Sequence, residues 1–388
     1  MPGKALLMIP GPTPVPEAVL RALSQPMINH RGPEYATLQR DVLAGVREVY
    51  HTHGDVLIFT ASGTGGLEAS VVNTLSPGDP VLAVTIGAFG ERYAQIAAAY
   101  GANVRRLDVP WGRAAAPEAV SEALRRNPEV CAVLLTHNET STGVLNDLPA
   151  LARVIRERAP EALILVDSIS GVLAAPLETD AWDLDVVVAG SQKAWMTPPG
   201  LTFLSVSERA WQANRTAKMP RFYFDFARTR QWLKKDQTPF TPAVSLLFGL
   251  REALRLILAE GVDATIRRHI RLARAVRAGV AALGLALFAE TGRESNAVTA
   301  VRAPAGIAPR ALRRVLRERH HVITAGGPGS LESEIFRIGH LGYVSEGDVL
   351  ATLAALEMTL AALGRTAPAG AGVAAAEGVF AEPSEAEA

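Results

Sequence analysis

From about Val56 to Val206 the chain alternates short apolar runs with amphipathic stretches. DVLIFTAS, PVLAVTIG, EVCAVLLTHNE, ALILVDSIS and LDVVVAGSQK are each a block of aliphatic or β-branched residues that ends in polar or small ones. Such runs predict strands covered on both faces. Between them, LEASVVNTL, ERYAQIAAAYG and LPALARVIRERA repeat apolar residues at three- and four-residue spacing, which predicts helices. The alternation predicts an α/β domain with a mainly parallel sheet flanked by helices, its polar residues gathered at the carboxyl edge.

The pattern changes after about residue 240. VSLLFGLREALRLILAEGVDATIRRHIRLARAVRAGVAAL reads as long helices bridging to a second unit. There NAVTAVRAP, HHVITAGG and IFRIGHLG surround the helical PRALRRVLRER, a pattern that suits a smaller C-terminal α+β domain. The expected division is an N-terminal arm at 1–20, a large domain at 21–255, a small domain at 256–366 and a tail at 367–388. The tail, rich in Ala, Gly, Pro and Glu, is expected to be a flexible appendage.

Composition narrows the partners. With 39 Lys+Arg against 39 Asp+Glu, no net field favours nucleic acid or an anionic membrane, so small molecules are the expected partners. The single cysteine, Cys131, excludes an intrachain disulfide and a Cys-rich zinc site, and its setting in VCAVLL suggests a buried strand residue. No metal site is expected. The N-terminus is broken by Pro and Gly before a signal-length apolar segment develops, and no run of spanning length follows, so the expected compartment is the cytoplasm.

The strand ends hold the candidate chemistry. After DVLIFT, Ser62, Gly63 and Thr64 precede a helix expected to begin near Gly66; free N–H groups and hydroxyls at a helix start suit a phosphate. Neither a Walker lysine nor the full GxGxxG spacing is present, which disfavours a nicotinamide site. Asp167 ends ALILV, and Lys193 follows the next run, DVVVAG. A strand-end Asp can cap a turn and a lone Lys can reach out to water. Together, beside a phosphate loop, they meet the needs of pyridoxal 5'-phosphate: an amine for its aldehyde, a carboxylate for its ring nitrogen and a cradle for its phosphate.

SGTGGLEA, HNETSTG, VDSISG, GSQKAWMTPPG and FRIGHLG resemble, in order and spacing, the class V pyridoxal-phosphate aminotransferases, most of all their serine-pyruvate and alanine-glyoxylate branch. The likeness runs to about residue 360. It implies fold type I with a mixed seven-stranded sheet, and a homodimer with active sites at the subunit interface. By the same resemblance Lys193 matches the Schiff-base lysine, Asp167 the partner of the pyridinium nitrogen, and Ser62, Gly63 and Thr64 the phosphate loop. Gln192 matches a further cofactor contact, Phe89 an aromatic stacked on the ring, Thr140 a contact to the phenolic oxygen, and Ile169 a residue against the ring face. Thr238 and Thr241, in QTPFTPA, match positions reaching the partner's phosphate. Arg337 matches the binder of the substrate carboxylate; the other reading for an Arg interrupting an apolar strand is a buried pair with Glu334. Gly11 and His30 fall in segments that close over the substrate.

The implied activity is a ping-pong transfer of an amino group from a small L-amino acid, alanine or serine, to a small 2-oxo acid, glyoxylate or pyruvate. No second arginine stands out as a clamp for a side-chain carboxylate, although Arg31 and Arg228 lie on loops that could reach in. The alternatives are a class V lyase or desulfurase, which needs a mobile nucleophilic cysteine, and a noncatalytic cofactor-binding subunit of a larger complex.

Overall fold

The computed structural model describes residues 5–365 and 368–383. Its central feature is a seven-stranded sheet in the order Asp55–Thr60, Leu201–Val206, Val186–Gly190, Leu163–Asp167, Ala132–Thr136, Pro80–Thr85, Asn103–Asp108. Leu201–Val206 runs antiparallel to both neighbours and the remaining pairs are parallel. The sheet is therefore mixed and mainly parallel. Helices cover it, so the strands at 132–136, 163–167, 186–190 and 201–206 are buried at every residue, which explains their unbroken apolar runs.

Two strands of this sheet lie outside the apolar runs that predicted it. Asn103–Asp108, with Arg105 and Arg106 at its middle, lies at the sheet's edge and stays partly exposed, so burial never selected an apolar run there. Leu201–Val206 is fully apolar in setting but follows the prolines of MTPPG as the antiparallel return.

The long helices Val244–Glu260 and Val262–Ala282 lead to a four-stranded sheet ordered Leu6–Met8, Val322–Gly326, Ile335–Gly339, Val298–Arg302. The N-terminal segment thus supplies a strand to the second sheet, pairing parallel to Val322–Gly326, instead of standing apart as an arm. The helix Glu17–Leu23 then packs on Val244–Glu260, where Gly249 leaves room for Leu23 and Val19. The boundary expected at residue 255 falls inside the helix Val244–Glu260.

The expectation of a flexible tail is corrected for the described part of it. Ala371–Ala381 forms a helix that packs on Val262–Ala282, with Gly372 and Ala376 buried. The same Ala and Gly content that looked like low complexity permits this close approach: a Cβ on Gly279 would come within 2.9 Å of the Gly372 carbonyl oxygen. Residues 367 and 384–388 of that expected tail lie outside the described residues.

Candidate active site

The parallel strands deliver their polar ends to one edge of the large sheet. A cleft there is lined by Ser62, Gly63, Thr64, Phe89, Thr140, Asp167, Ile169, Gln192 and Lys193, nine of the positions singled out from sequence. Leu67, Arg92, Asn138 and Ser170 line it as well. In-register pairing sets Asp167, the last residue of its strand, opposite Thr136, the last of the neighbouring strand, on one side and Val188, two residues before the end of the other neighbour, on the other.

Each wall has a local cause. The helix Gly63–Thr74 begins at Gly63, earlier than the sequence suggested, with Ser62 as its N-cap residue. Its first turn therefore directs N–H groups at the cleft. Gly63 has to lack a side chain, because a Cβ would stand 2.5 Å from the Ile169 Cδ1. Asp167 is 3% exposed, and its Oδ1 accepts from the Ile169 N–H at 3.0 Å. Burial pushes its carboxyl up to about 7; Glu139 adds to the rise, while Lys193 and Arg92 oppose it. Burial brings the Lys193 ammonium down to about 8, with Asp167 pulling it back up and Arg337 and Arg92 pushing it further down.

The N-terminal loop closes over Lys193. Its Nζ donates to the Pro10 carbonyl at 2.6 Å, and Thr13 Oγ1 donates to the Lys193 carbonyl at 2.9 Å. Gly11 sits directly against the amine: with φ +131° it adopts a conformation that favours glycine, and a Cβ there would lie 2.8 Å from Nζ. PGPTPVP is thus brought to the lysine.

Arg337 comes from the second sheet. Nε donates to the Gly326 carbonyl at 2.7 Å and Nη1 to the Thr140 carbonyl at 2.8 Å. Glu334 does not pair with it but faces Arg302 at 3.7 Å. Carbonyls alone hold this half-buried guanidinium, and burial lowers its pKa to about 10. Its charge is oriented and in no ion pair among the described residues, although Glu139 acts on it from a distance, so it is available to an anionic group.

Other expected positions are not in the cleft. Thr238 and Thr241 line a different hollow with Tyr35, Tyr223 and Phe240, and Thr238 Oγ1 donates to the Phe240 carbonyl at 2.7 Å. His30 is half-buried and is not among the cleft's lining residues; its neighbour Arg31 donates to the Thr238 carbonyl at 2.5 Å and lies over the Trp232 ring at 4.6 Å. Arg228 stacks on Phe222 at 4.6 Å. Arg31 and Arg228 are therefore engaged elsewhere in this chain.

Arg92 and Glu139 were passed over in sequence. Arg92 lines the cleft with its guanidinium 4.9 Å from the Phe89 ring centroid and Nη1 3.5 Å from Thr64 Oγ1. Its place one helical turn after Phe89 was the available signal. Glu139, fully buried, accepts from the N–H groups of Phe89, Gly90 and Ser141 at 3.0, 3.1 and 3.1 Å, and from Ser141 Oγ at 2.6 Å. It pins the start of the helix Ala88–Ala99, the Phe89 helix, to the turn that carries Thr140. Burial raises its pKa despite these bonds.

Residues 6–340 match the class V aminotransferase family. The chain is 46% identical over 384 residues to the soluble hydrogenase small subunit of Synechococcus sp., covering 98% of this chain and 99% of that one. It is 37% identical over 375 residues to the L-aspartate–glyoxylate aminotransferase of Paracoccus denitrificans, covering 96% and 95%. Among solved structures, the ureidoglycine-glyoxylate aminotransferase of Bacillus subtilis superposes with a TM-score of 0.92 at 29% identity, over 98% of this chain and 99% of that one. The chain belongs to the class V aminotransferases and has the fold type I architecture of pyridoxal-phosphate enzymes.

Pyridoxal phosphate is the family's cofactor, and the cleft fits it. A helix start with a bare glycine, a buried carboxylate and a buried amine converge there. Two further lining residues carry buried oxygens without hydrogen-bond partners, Gln192 Oε1 and Asn138 Oδ1, ready for a polar ligand. No helix among the described residues is long and apolar enough to cross a membrane.

Proposed function

We propose that this chain is a transaminase that moves the amino group of a small L-amino acid, such as serine or alanine, to a small 2-oxo acid, such as glyoxylate or pyruvate. The observation that carries this reading is Arg337, an oriented guanidinium that hydrogen-bonds only carbonyls among the described residues, one of them that of Thr140, which lines the cleft holding Lys193 and Asp167. The names of relatives that act on glyoxylate support the acceptor class.

When bound, pyridoxal phosphate supplies an aldehyde that joins to amines and a ring that accepts the electron pair left when Cα loses its proton. Lys193 is the residue that would hold that aldehyde, and its amine, freed for the purpose, would carry the proton of Cα. Its depressed pKa suits it to that work, because the neutral amine is the base. Asp167 stands as the ionised partner of the ring nitrogen; a cation there offsets the burial that otherwise raises its pKa. Ser62, Gly63 and Thr64 hold the phosphate with their N–H and hydroxyl groups, and Gln192 lends its unpartnered amide oxygen to a cofactor contact. Phe89 and Ile169, which line the cleft, would flank the ring and Thr140 would serve its phenolic oxygen, while Gly11 and the Pro10 carbonyl cover Lys193. Arg92, on the Thr64 side of the cleft, adds its charge at the phosphate end, so it serves cofactor retention and leaves the substrate side chain unclamped.

The active unit in this reading is a homodimer, with Thr238 and Thr241 reaching the partner's phosphate and His30 lining the shared rim. The cytoplasm remains the expected compartment, on sequence grounds. A desulfurase reading is opposed by Cys131. It precedes the strand Ala132–Thr136 at the edge away from the cleft, is half-buried, and has a thiol pushed up to about 11 by burial. A noncatalytic role in a larger complex, which the hydrogenase-subunit names of two relatives would suit, has no need of a buried amine and an unpaired guanidinium. Half-reactions separate these readings. The cofactor's absorbance in the purified protein should convert to that of its amine form with L-serine or L-alanine and return with glyoxylate or pyruvate. Release of sulfide from cysteine, or no spectral change across a panel of amino acids, would overturn the assignment.

A further inference from the structure

The helix Pro309–His320 carries arginines at 310, 313, 314 and 317. These positions are i, i+3, i+4 and i+7, so all four stand on one face, a spacing at which like charges repel. Local helix energetics does not favour such a column. Arg310, Arg314 and Arg317 are exposed, and with the half-buried Arg313 and with Ile323 and Thr324 of the adjoining strand they wall a hollow of about 590 Å³.

Acids do not balance it. Glu318 takes Arg317 at 3.1 Å and Glu332 acts on Arg313 from a distance, while among the described residues no carboxylate lies within ion-pairing reach of Arg310, Arg313 or Arg314. Arg313 is half-buried and fixed: Nε donates to the Thr324 carbonyl at 3.2 Å, and its guanidinium fills the space over Gly326, where a Cβ would stand 2.5 Å from Nη1. In the same wall Thr324 is only 4% exposed, and its Oγ1 has no hydrogen-bond partner among the described residues. The hollow shares no lining residue with the cofactor cleft.

We infer that this hollow binds a small multivalent phosphate anion, with a di- or triphosphate chain laid along the arginine column. Guanidiniums offer paired N–H groups that match phosphate oxygens. The 590 Å³ falls within the roughly 300–1,000 Å³ typical of small-ligand sites. A singly charged 2-oxo acid could neutralise only one of the arginines, whereas a phosphate chain spans from one helical turn to the next. The shared chemistry is the phosphate chain, whether it comes as inorganic polyphosphate or as part of a nucleotide.

Calorimetry on the holoenzyme tests this, since the cofactor already fills the phosphate cradle of the active site. Pyrophosphate should bind saturably at one site per chain, at least about tenfold more tightly than inorganic phosphate. Arg310→Ala/Arg314→Ala, two exposed positions outside the catalytic machinery, should weaken pyrophosphate about tenfold or more and leave turnover unchanged. A second pair of probes identifies the source: a nucleoside triphosphate binding more tightly than tripolyphosphate marks a nucleotide site, and equal binding marks a site for the bare chain. No saturable binding, equal binding by parent and variant, or an effect reproduced by sulfate at matched ionic strength would overturn the inference.

Discussion

The cofactor cleft and the hollow around Thr238 and Thr241 belong to one chain and are built on opposite terms. In the cleft, buried ionisable groups face one another and each wall is tied down: Asp167 by an N–H, Lys193 by the Pro10 carbonyl, Arg337 by two carbonyls, and the Phe89 helix by Glu139. The other hollow is lined by tyrosine, phenylalanine, proline and threonine and by no acid or base. Tyr223 and Phe240 stack there with centroids 5.2 Å apart, and Phe222 beside them remains 68% exposed. The first region has its chemical partners within the chain. The second exposes aromatic rings, Phe222 and Tyr223, while its Thr238 and Tyr35 hydroxyls are bonded within the chain.

Lys193→Ala gives the largest expected effect, because the proposed chemistry passes through that amine. Transamination should fall at least about 10⁴-fold, roughly 5.5 kcal/mol of barrier. Borohydride reduction of the parent should fix the cofactor on Lys193; a label on another lysine would dissolve the cleft as drawn here. Asp167→Asn comes next, with cofactor still bound and turnover lower by about 10²–10³-fold, the size expected for one preorganised electrostatic partner. Near-normal turnover in that variant would remove Asp167 from the ring.

Arg337→Lys should raise KM for donor and acceptor alike by roughly 10–100-fold, since a lysine cannot reproduce the planar two-point contact. An effect on one substrate alone would make Arg337 a reader of side chains. The buried pair also sets a pH dependence. With Lys193 at about 8, capture of an aldehyde by cofactor-free protein should rise about tenfold from pH 7 to pH 9 as the neutral amine forms. Loss of Asp167's negative charge should shift that midpoint down, and loss of Arg337's positive charge should shift it up. Asp167 itself binds its proton more tightly folded, at about 7, than unfolded, at 3.8. Stability of the cofactor-free protein should therefore fall as pH rises through that window, and Asp167→Asn should flatten the slope in a series of urea melts.

The smallest signal addresses the aromatic hollow. Lys193→Ala subunits mixed with Thr238→Ala/Thr241→Ala subunits should recover activity if the threonines act across a dimer. Each mixed dimer then has one intact site, so random exchange should restore up to about a quarter of parental activity. No recovery after proven exchange, with both parents impaired, would leave the threonines acting within their own chain.

Most of the cleft was legible because parallel strands end together and apolar runs mark their ends. Asp167 and Lys193 could be set side by side from VDSISG and GSQKA alone, since adjacent runs of this kind pair in register. Glu139 was not legible: an acid between Asn138 and Thr140 looks like a loop residue until the Phe89 helix arrives over it. Arg92 was hidden for the related reason that its cleft partner, Thr64, belongs to another helix. The segment after Ala367 misled in the other direction, because small residues suit both a loose tail and a tight helix contact, and only the surface of Val262–Ala282 selects between them.

The sequence by itself determined the α/β order, the strand ends that carry Ser62, Asp167 and Lys193, and the class of cofactor, because period, burial and residue chemistry are written locally along the chain. Tertiary structure alone decided that Leu6–Met8 would complete the second sheet, that Arg337 would rest on the Thr140 and Gly326 carbonyls instead of on Glu334, and that Thr238 and Thr241 would stand away from their own chain's cleft. Those outcomes depend on partners far apart in sequence, whose approach is fixed by how the two sheets pack and by no local preference.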